Sequence, residues 1–290
     1  MTEDKLSKTK DLMSNVVSMG NQIVSLLNQS VLKQGQPFII LEQYEWLREV
    51  LSLFARQSNL FESVLLLLKN NMEQEAYILA RSQFNNALWI NYLCGEVGKV
   101  RLKEYYYEQH ISQYLNFYNM KKYIKDNKDM LNEHNLNSID ISEINGKMKE
   151  IKEILKKEGY NTENLKNKSI SDLAKVDPII YGTYITLYHN ASKFEHSDIR
   201  TVKTYRNQIV KEYDNNTAFV FDLDKSDIDL WKNVAIFSFS SCFYSVSALY
   251  DRLLDKDKHL FEYEEFSLND LGILIKNINI CRNLVTEIEI

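Results

Sequence analysis

The chain has 290 residues, 44% of them hydrophobic and 26% charged, with a formal net charge of −5. That length and balance suit a folded protein that buries a sizeable core, and they exclude a disordered one. The acidic total argues against a protein that grips nucleic acid by its phosphates over its whole surface, while leaving room for a local basic patch.

Only 8 Gly and 2 Pro occur, so few turns interrupt the chain and long helices are expected. The first runs from Leu6 to Val31, with Leu12, Val16, Met19, Ile23, Leu26 and Leu27 at the three-to-four spacing of an amphipathic helix. Gln34-Gly-Gln-Pro37 breaks it, and Pro37 suits a new helix start. A second segment spans about 38–69, with a bend expected at Gln57-Ser-Asn59. Its Val64-Leu-Leu-Leu-Leu68 run reads as a helix enclosed on all sides. The third covers about Met72 to Cys94 and stops at Gly95.

The fourth segment, about 97–125, is rich in tyrosine: Tyr105, Tyr106, Tyr107, Tyr114, Tyr118 and Tyr123. Tyrosines at helical spacing with lysines between them pack helices with their hydroxyls in solvent, or stack on bases. Asn127 to Asn137 is polar and turn-like, and Ile141 to Lys157 is a charged helix closed by Gly159. The chain is thus expected to form a single helical domain over 1–290, with a charged helical insertion at about 127–168.

Ser169-Ile-Ser-Asp172 has the spacing of a helix-start box, and Pro178 opens the next helix. Thr201–Asn216 is polar and reads as partly helical, and Thr217-Ala-Phe-Val-Phe-Asp222 is the one short strand expected. Long helices over about Asp227–Asp255 and Ser267–Ile288 close the chain. The expected fold class is all-α, a single multi-helix bundle of about eight helices with at most a minor β-hairpin.

Cys94, Cys242 and Cys281 are far apart and lack CxxC spacing, which reads as buried free thiols in a reducing compartment. Met1-Thr-Glu-Asp-Lys5 is not the start of a signal peptide, and the most apolar windows, Ser63–Leu68 and Val234–Leu249, are too short or too rich in Ser and Tyr to span a membrane. A cytoplasmic location is expected, with no membrane partner.

The densest chemistry lies in Tyr184-Ile-Thr-Leu-Tyr-His-Asn-Ala-Ser-Lys-Phe-Glu-His-Ser-Asp198, where a Tyr/Leu face runs into two histidines, two carboxylates and two serines. No Gly-rich phosphate loop, Gly-x-Ser-x-Gly elbow or His-Glu-x-x-His pair occurs. His189 and His196 lie about 10.5 Å apart along a continuous helix, too far to share a metal ion. Neither a metal nor a cofactor is expected.

Arg81 sits mid-helix between Ala80 and Ser82, on a mainly apolar helix. An enclosed guanidinium needs a carboxylate or carbonyl partner, and Glu195 and Asp198 are the candidates. Two readings are open. In one, Arg81 is a structural clamp between two core helices. In the other, Arg81 holds an anion, His196 is a general acid or base, and Glu195 or Asp198 orients it. Asn85, Tyr188, His189 and Ser192 are the accompanying binding candidates.

Ala76-Tyr-Ile-Leu-Ala-Arg-Ser-Gln-Phe-Asn85 followed by Tyr188-His-Asn-Ala-Ser-Lys-Phe-Glu-His-Ser-Asp198 resembles a large family of uncharacterised bacterial helical proteins. That family carries an A-x-x-L-x-R-S-x-x-E helix and, later, a Y-x-x-x-S-x-x-x-H-x-S/D segment. The resemblance covers about residues 43–205 and puts Arg81, Ser192 and His196 on recurrent polar positions, with Asn85 in place of the usual acidic residue. It implies a bacterial or phage helical effector of defence or toxin type, acting on nucleic acid or nucleotide through the Arg81/His196 cluster. The alternative is a non-enzymatic sensor or protein-binding module, with a protein or a second copy of the chain as partner. Arg252 and His259 also have the Arg-x4–6-His spacing of the HEPN ribonucleases. Leu253 stands where those enzymes favour a polar residue, and Asp-Lys-Asp-Lys258 ends the helix before His259, so this likeness is set aside.

Overall fold

The computed structural model describes residues 3–37, 40, 42–95, 99–133, 141–195, 206–213, 216–221, 227–255 and 267–288. Apolar side chains recurring every three or four residues place seven helices of 17 residues or more among them. These are α1 (Glu3–Leu26), α2 (Glu45–Lys69), α3 (Glu73–Cys94), α4 (Val100–Asp126), α6 (Ile141–Lys157), α10 (Ile228–Asp255) and α11 (Leu268–Glu287). Four shorter α-helices are α5 (Lys128–Glu133), α7 (Ile170–Ala174), α8 (Pro178–Thr183) and α9 (His189–Glu195), and a π turn over Leu27–Val31 extends α1. A two-stranded antiparallel hairpin, β1 (Arg206–Tyr213) with β2 (Asn216–Phe221), pairs Arg206 with Phe221 and Tyr213 with Asn216. The described residues are all-α apart from this hairpin.

The described fold divides into two compact units, Met1–Val97 with Ile170–Ile290, and Gly98–Ser169. In the first unit α3 packs on both α2 and α10, α10 packs on α11, and α1 lies against α2 and α11. Phe61 meets Phe239 edge-on at 5.1 Å, and Phe84 meets Phe237 at the same separation. α10 is the enclosed helix: Trp231, Val234, Ala235, Phe237, Phe239 and Cys242 are all buried. The Val64–Leu68 run of α2 is not enclosed on all sides. At about 100° per residue its Leu66 turns to solvent and is 60% exposed, while Val64, Leu65 and Leu68 face the core.

Polar side chains stitch this core together. Gln83 donates to the Ser238 carbonyl at 3.1 Å, and the Ser238 hydroxyl donates back to Gln83 Oε1. Asn86 donates to the Leu53 carbonyl at 2.7 Å and to Gln57 Oε1 at 3.0 Å. The Ser58 hydroxyl donates to Asn28 at 2.7 Å. Gln57 and Ser58 therefore serve contacts between helices, and α2 is one unbroken helix across this stretch.

Other expectations also need correcting. Pro37 opens no helix; α2 begins at Glu45 after a 3-10 turn over Glu42–Tyr44. The 127–137 stretch is not wholly turn, because α5 forms where Leu131 is buried. Within Thr201–Asn216 the described residues 206–213 are strand rather than helix, since β2 offers them a ladder to pair with. Trp89, Leu187 and Phe243, large apolar side chains on core helices, are only half-buried. Trp89 lies edge-on to Tyr92, and Phe243 is covered by the Arg282 guanidinium at 5.0 Å. Among the described residues no helix is long and apolar enough to cross a membrane.

In the second unit α4 packs against α6 around Ile111, Ile151 and Leu155, with Tyr107, Tyr114 and Phe117 against them. Gly159, at φ +85°, ends α6 in the left-handed conformation that favours glycine. Tyr160 then folds onto Tyr107 at 5.1 Å, and the Lys168 N–H donates to the Glu108 carboxylate at 2.7 Å. Lys103 pairs with Glu158 beside this seam. This unit takes in the tyrosine-rich helix as well as the charged 127–168 stretch.

Candidate functional site

Asp177 caps α8, its carboxylate accepting from the Ile179 and Ile180 N–H groups at 2.7 and 3.0 Å, with Pro178 at the first helical position. The helix widens into a π turn over Tyr184–Tyr188 and continues as α9 to Glu195. An extra residue in a helical turn rotates the faces of the helix beyond it. Within this turn Ile185 is exposed and Tyr188 is buried.

Three contacts fix this helix to α3. The Tyr77 hydroxyl donates to the Leu187 carbonyl at 3.0 Å, Phe194 lies 5.5 Å from the Tyr77 ring, and Phe84 lies 5.8 Å from Tyr188. Burial raises the Tyr77 hydroxyl well above the ordinary tyrosine range, so it stays a donor. On the other side the Thr183 and Tyr244 hydroxyls share a hydrogen bond of 2.7 Å, which ties α8 to α10.

Arg81 projects from α3 into this contact. Its Nη1 forms an ion pair with the Glu195 carboxylate, and its Cζ lies 4.8 Å from the centroid of the Tyr188 ring. The Arg81 side chain is 17% exposed and that of Glu195 41% exposed. Tyr181, Tyr184 and Tyr188 stack in sequence at 5.9 and 5.1 Å, and the exposed His189 meets Tyr184 at 4.8 Å. Asn85, one turn along α3 from Arg81, buries an Oδ1 that has no hydrogen-bond partner among the described residues, and the same holds for Arg81 Nε. Ser192 is half-buried on α9.

The fold therefore brings together Arg81, Glu195 and Tyr188, with Asn85 on the same helix as Arg81 and His189 against Tyr184 of the tyrosine stack. His196 and Asp198 lie outside the described residues. Arg252, the first half of the HEPN-like spacing, is buried; its guanidinium covers Trp46 at 4.4 Å and donates to the Cys94 carbonyl at 3.4 Å. It fastens α10 to the ends of α2 and α3, and His259 lies outside the described residues. No three His, Cys, Asp or Glu side chains converge on a metal-sized space among the described residues.

Sequence reasoning passed over Tyr77 and the buried amides Gln83 and Asn86. The spacing of the amides held the signal. Both interrupt the apolar face of α3 between Ala80 and Ala87, where a polar side chain must find a partner on a neighbouring helix.

A family model described as a family of unknown function, DUF5677, matches residues 49–214, more than half of the chain. No curated protein and no solved structure matches it.

Proposed function

We propose that this chain, which belongs to the family of unknown function DUF5677, is a non-enzymatic helical sensor or protein-binding module in which the Arg81 cluster is a structural clamp. The state of Arg81 carries this reading. Its guanidinium is shared between Glu195 and the face of Tyr188, and its side chain is 17% exposed. A cation committed to a carboxylate and an aromatic face has little left for an incoming anion. The Tyr77 hydroxyl bond to Leu187 supports the same joint from one turn away.

A second reading keeps the cluster as a site. In it the chain is a bacterial or phage effector of defence or toxin type, acting on nucleic acid or nucleotide through Arg81, His196, Glu195 and Asp198. One observation favours it: Arg81 Nε and Asn85 Oδ1 are buried and lack hydrogen-bond partners among the described residues, and the two residues are one turn apart on α3. An unsatisfied donor beside an unsatisfied acceptor is a polar position that a ligand can complete.

One experiment separates the two. The full chain, Arg81→Ala and His196→Ala are incubated with labelled RNA and with ATP or GTP, and cleavage or turnover is recorded beside the melting temperature. The clamp predicts no turnover by the parent chain and a melting temperature lowered by several degrees in Arg81→Ala. Turnover that His196→Ala abolishes without moving the melting temperature replaces the clamp with the site.

A further inference from the structure

The acidic total of the chain hides a local reversal. Residues 98–169 hold 14 Lys and Arg against 11 Asp and Glu, a net +3, whereas the rest of the chain holds 21 against 29. Within that unit a trough of about 770 Å³ runs between α4 and α6. α4 lines it with Tyr114, Tyr118, Lys121, Lys122 and Lys125. α6 lines it with Met148, Lys149, Lys152 and Lys156, and only Asp126 and Glu153 bring negative charge to its walls.

The lysines are not neutralised from within. Lys152 lies over the Tyr114 ring at 5.2 Å. Lys121, Lys122, Lys125, Lys149 and Lys156 form no ion pair with a carboxylate among the described residues. Like charges gathered around one trough repel one another, and a polyanion laid along it removes that repulsion. The α4 wall from Tyr114 to Lys125 is about 16 Å long at the helical rise, so the trough suits a chain of charges better than a single one.

The aromatic component narrows the occupant. Tyr114 and Tyr118 are one turn apart on α4, both line the trough, and Tyr118 is 52% exposed. An acidic peptide or a sulfated sugar would use the lysines and leave that ring unused. A strand of unpaired bases uses both, with phosphates on the lysines and a base on the ring. We infer that the α4/α6 trough binds single-stranded nucleic acid without sequence preference. The trough lies wholly within Gly98–Ser169, so its test is separate from that of the Arg81 joint.

The test is fluorescence anisotropy of the full chain with a labelled oligothymidylate, with heparin and a polyglutamate peptide as competitors. Binding is expected to weaken as salt rises, with log K linear in log salt at a slope of about −0.7 per phosphate contacted. K121E/K122E/K125E should lose about tenfold or more in affinity. K10E/K276E, which changes exposed lysines outside the trough, should bind like the parent. Tyr118→Ala should lose about fivefold or more for the oligonucleotide while its affinity for heparin stays unchanged. Far-UV circular dichroism of each variant confirms that these surface changes leave the fold intact. Absence of binding at low salt, equal loss in K10E/K276E, or an unaltered Tyr118→Ala overturns the inference. Polyglutamate competing as well as unlabelled oligothymidylate assigns the trough to acidic protein and likewise overturns it.

Discussion

Arg81 of α3 and Glu195, the last residue of α9, form an ion pair against the ring of Tyr188. The pair closes the far end of a helix whose near end is capped by Asp177 and whose middle is tied to α3 by Tyr77. The Asp177 cap starts this helix, and the Arg81 pair and the Tyr77 hydrogen bond are what hold it against α3.

The two partners should differ in what they contribute. Glu195 is 41% exposed, so Glu195→Gln keeps most of the shape, loses a water-screened attraction and should cost under about 1 kcal/mol. Arg81→Ala also removes the packing on Tyr188 and should cost about 2 kcal/mol. Urea denaturation of both variants checks this order. Equal losses would mean that the guanidinium adds nothing beyond its charge.

The close approach of α1 and α2 rests on Gly20. A Cβ there would lie 2.7 Å from Leu65 Cδ2 and 2.8 Å from Cδ1, and Leu65 is 1% exposed, with little room to turn aside. Gly20→Ala should destabilise the chain by about 1–3 kcal/mol. Leu65→Ala alone should cost about 2–5 kcal/mol. In the double variant the added methyl enters the space the leucine left, so its loss should be smaller than the sum. A strictly additive double variant would show that the helices move apart instead.

Much of this architecture was legible as periodicity. The α1 spacing, the Gly95 and Gly159 stops and the Ser267 start each describe a local event, and short-range sequence carries local events. The need of Arg81 for a carboxylate was legible for a related reason, because a charge on an apolar face needs a partner wherever the chain provides one. The features that stayed hidden depend on distant segments. Whether residues 206–213 are helix or strand turns on pairing with β2, and whether Leu66 is buried turns on which neighbours α2 has. The lysine trough belongs to the same class: α4 and α6 are each unremarkable alone, and the charge concentrates only when they pack.

Gln83 and Ser238 should behave as a unit. Ser238→Ala leaves the buried Gln83 Oε1 without its donor, and such an orphan costs about 1–3 kcal/mol. Gln83→Leu on top of Ser238→Ala replaces both polar groups with apolar ones of similar size. It should recover most of the loss, and chemical denaturation of the single and double variants measures it. A double variant worse than Ser238→Ala would show that the Gln83 bond to the Ser238 carbonyl contributes independently.

Cys94, Cys242 and Cys281 are buried free thiols, and burial raises two of them: Cys281 to about 11 from an ordinary 9.0, and Cys242 further, with Cys281 nearby adding to the shift. Only the thiolate attacks a disulfide reagent. At pH 8 the native chain should therefore react slowly with a thiol-titrating reagent at all three positions, and the urea-unfolded chain should react rapidly at three thiols. The same shifts fix the direction of a stability change. Between about pH 9 and pH 11 the unfolded Cys281 thiol gives up its proton while the folded one retains it. Deprotonation then favours the unfolded state, so the stabilising term is complete below pH 9 and lost as pH rises through 11. The raised Tyr77 hydroxyl acts in the same sense, and its ionisation also removes the donor that holds Leu187. The melting temperature should fall from pH 8 to pH 11. Cys281→Ser retains the Tyr77 contribution and should flatten the curve only in part. A melting temperature that rises over that interval would mean that these groups do not govern the alkaline limb.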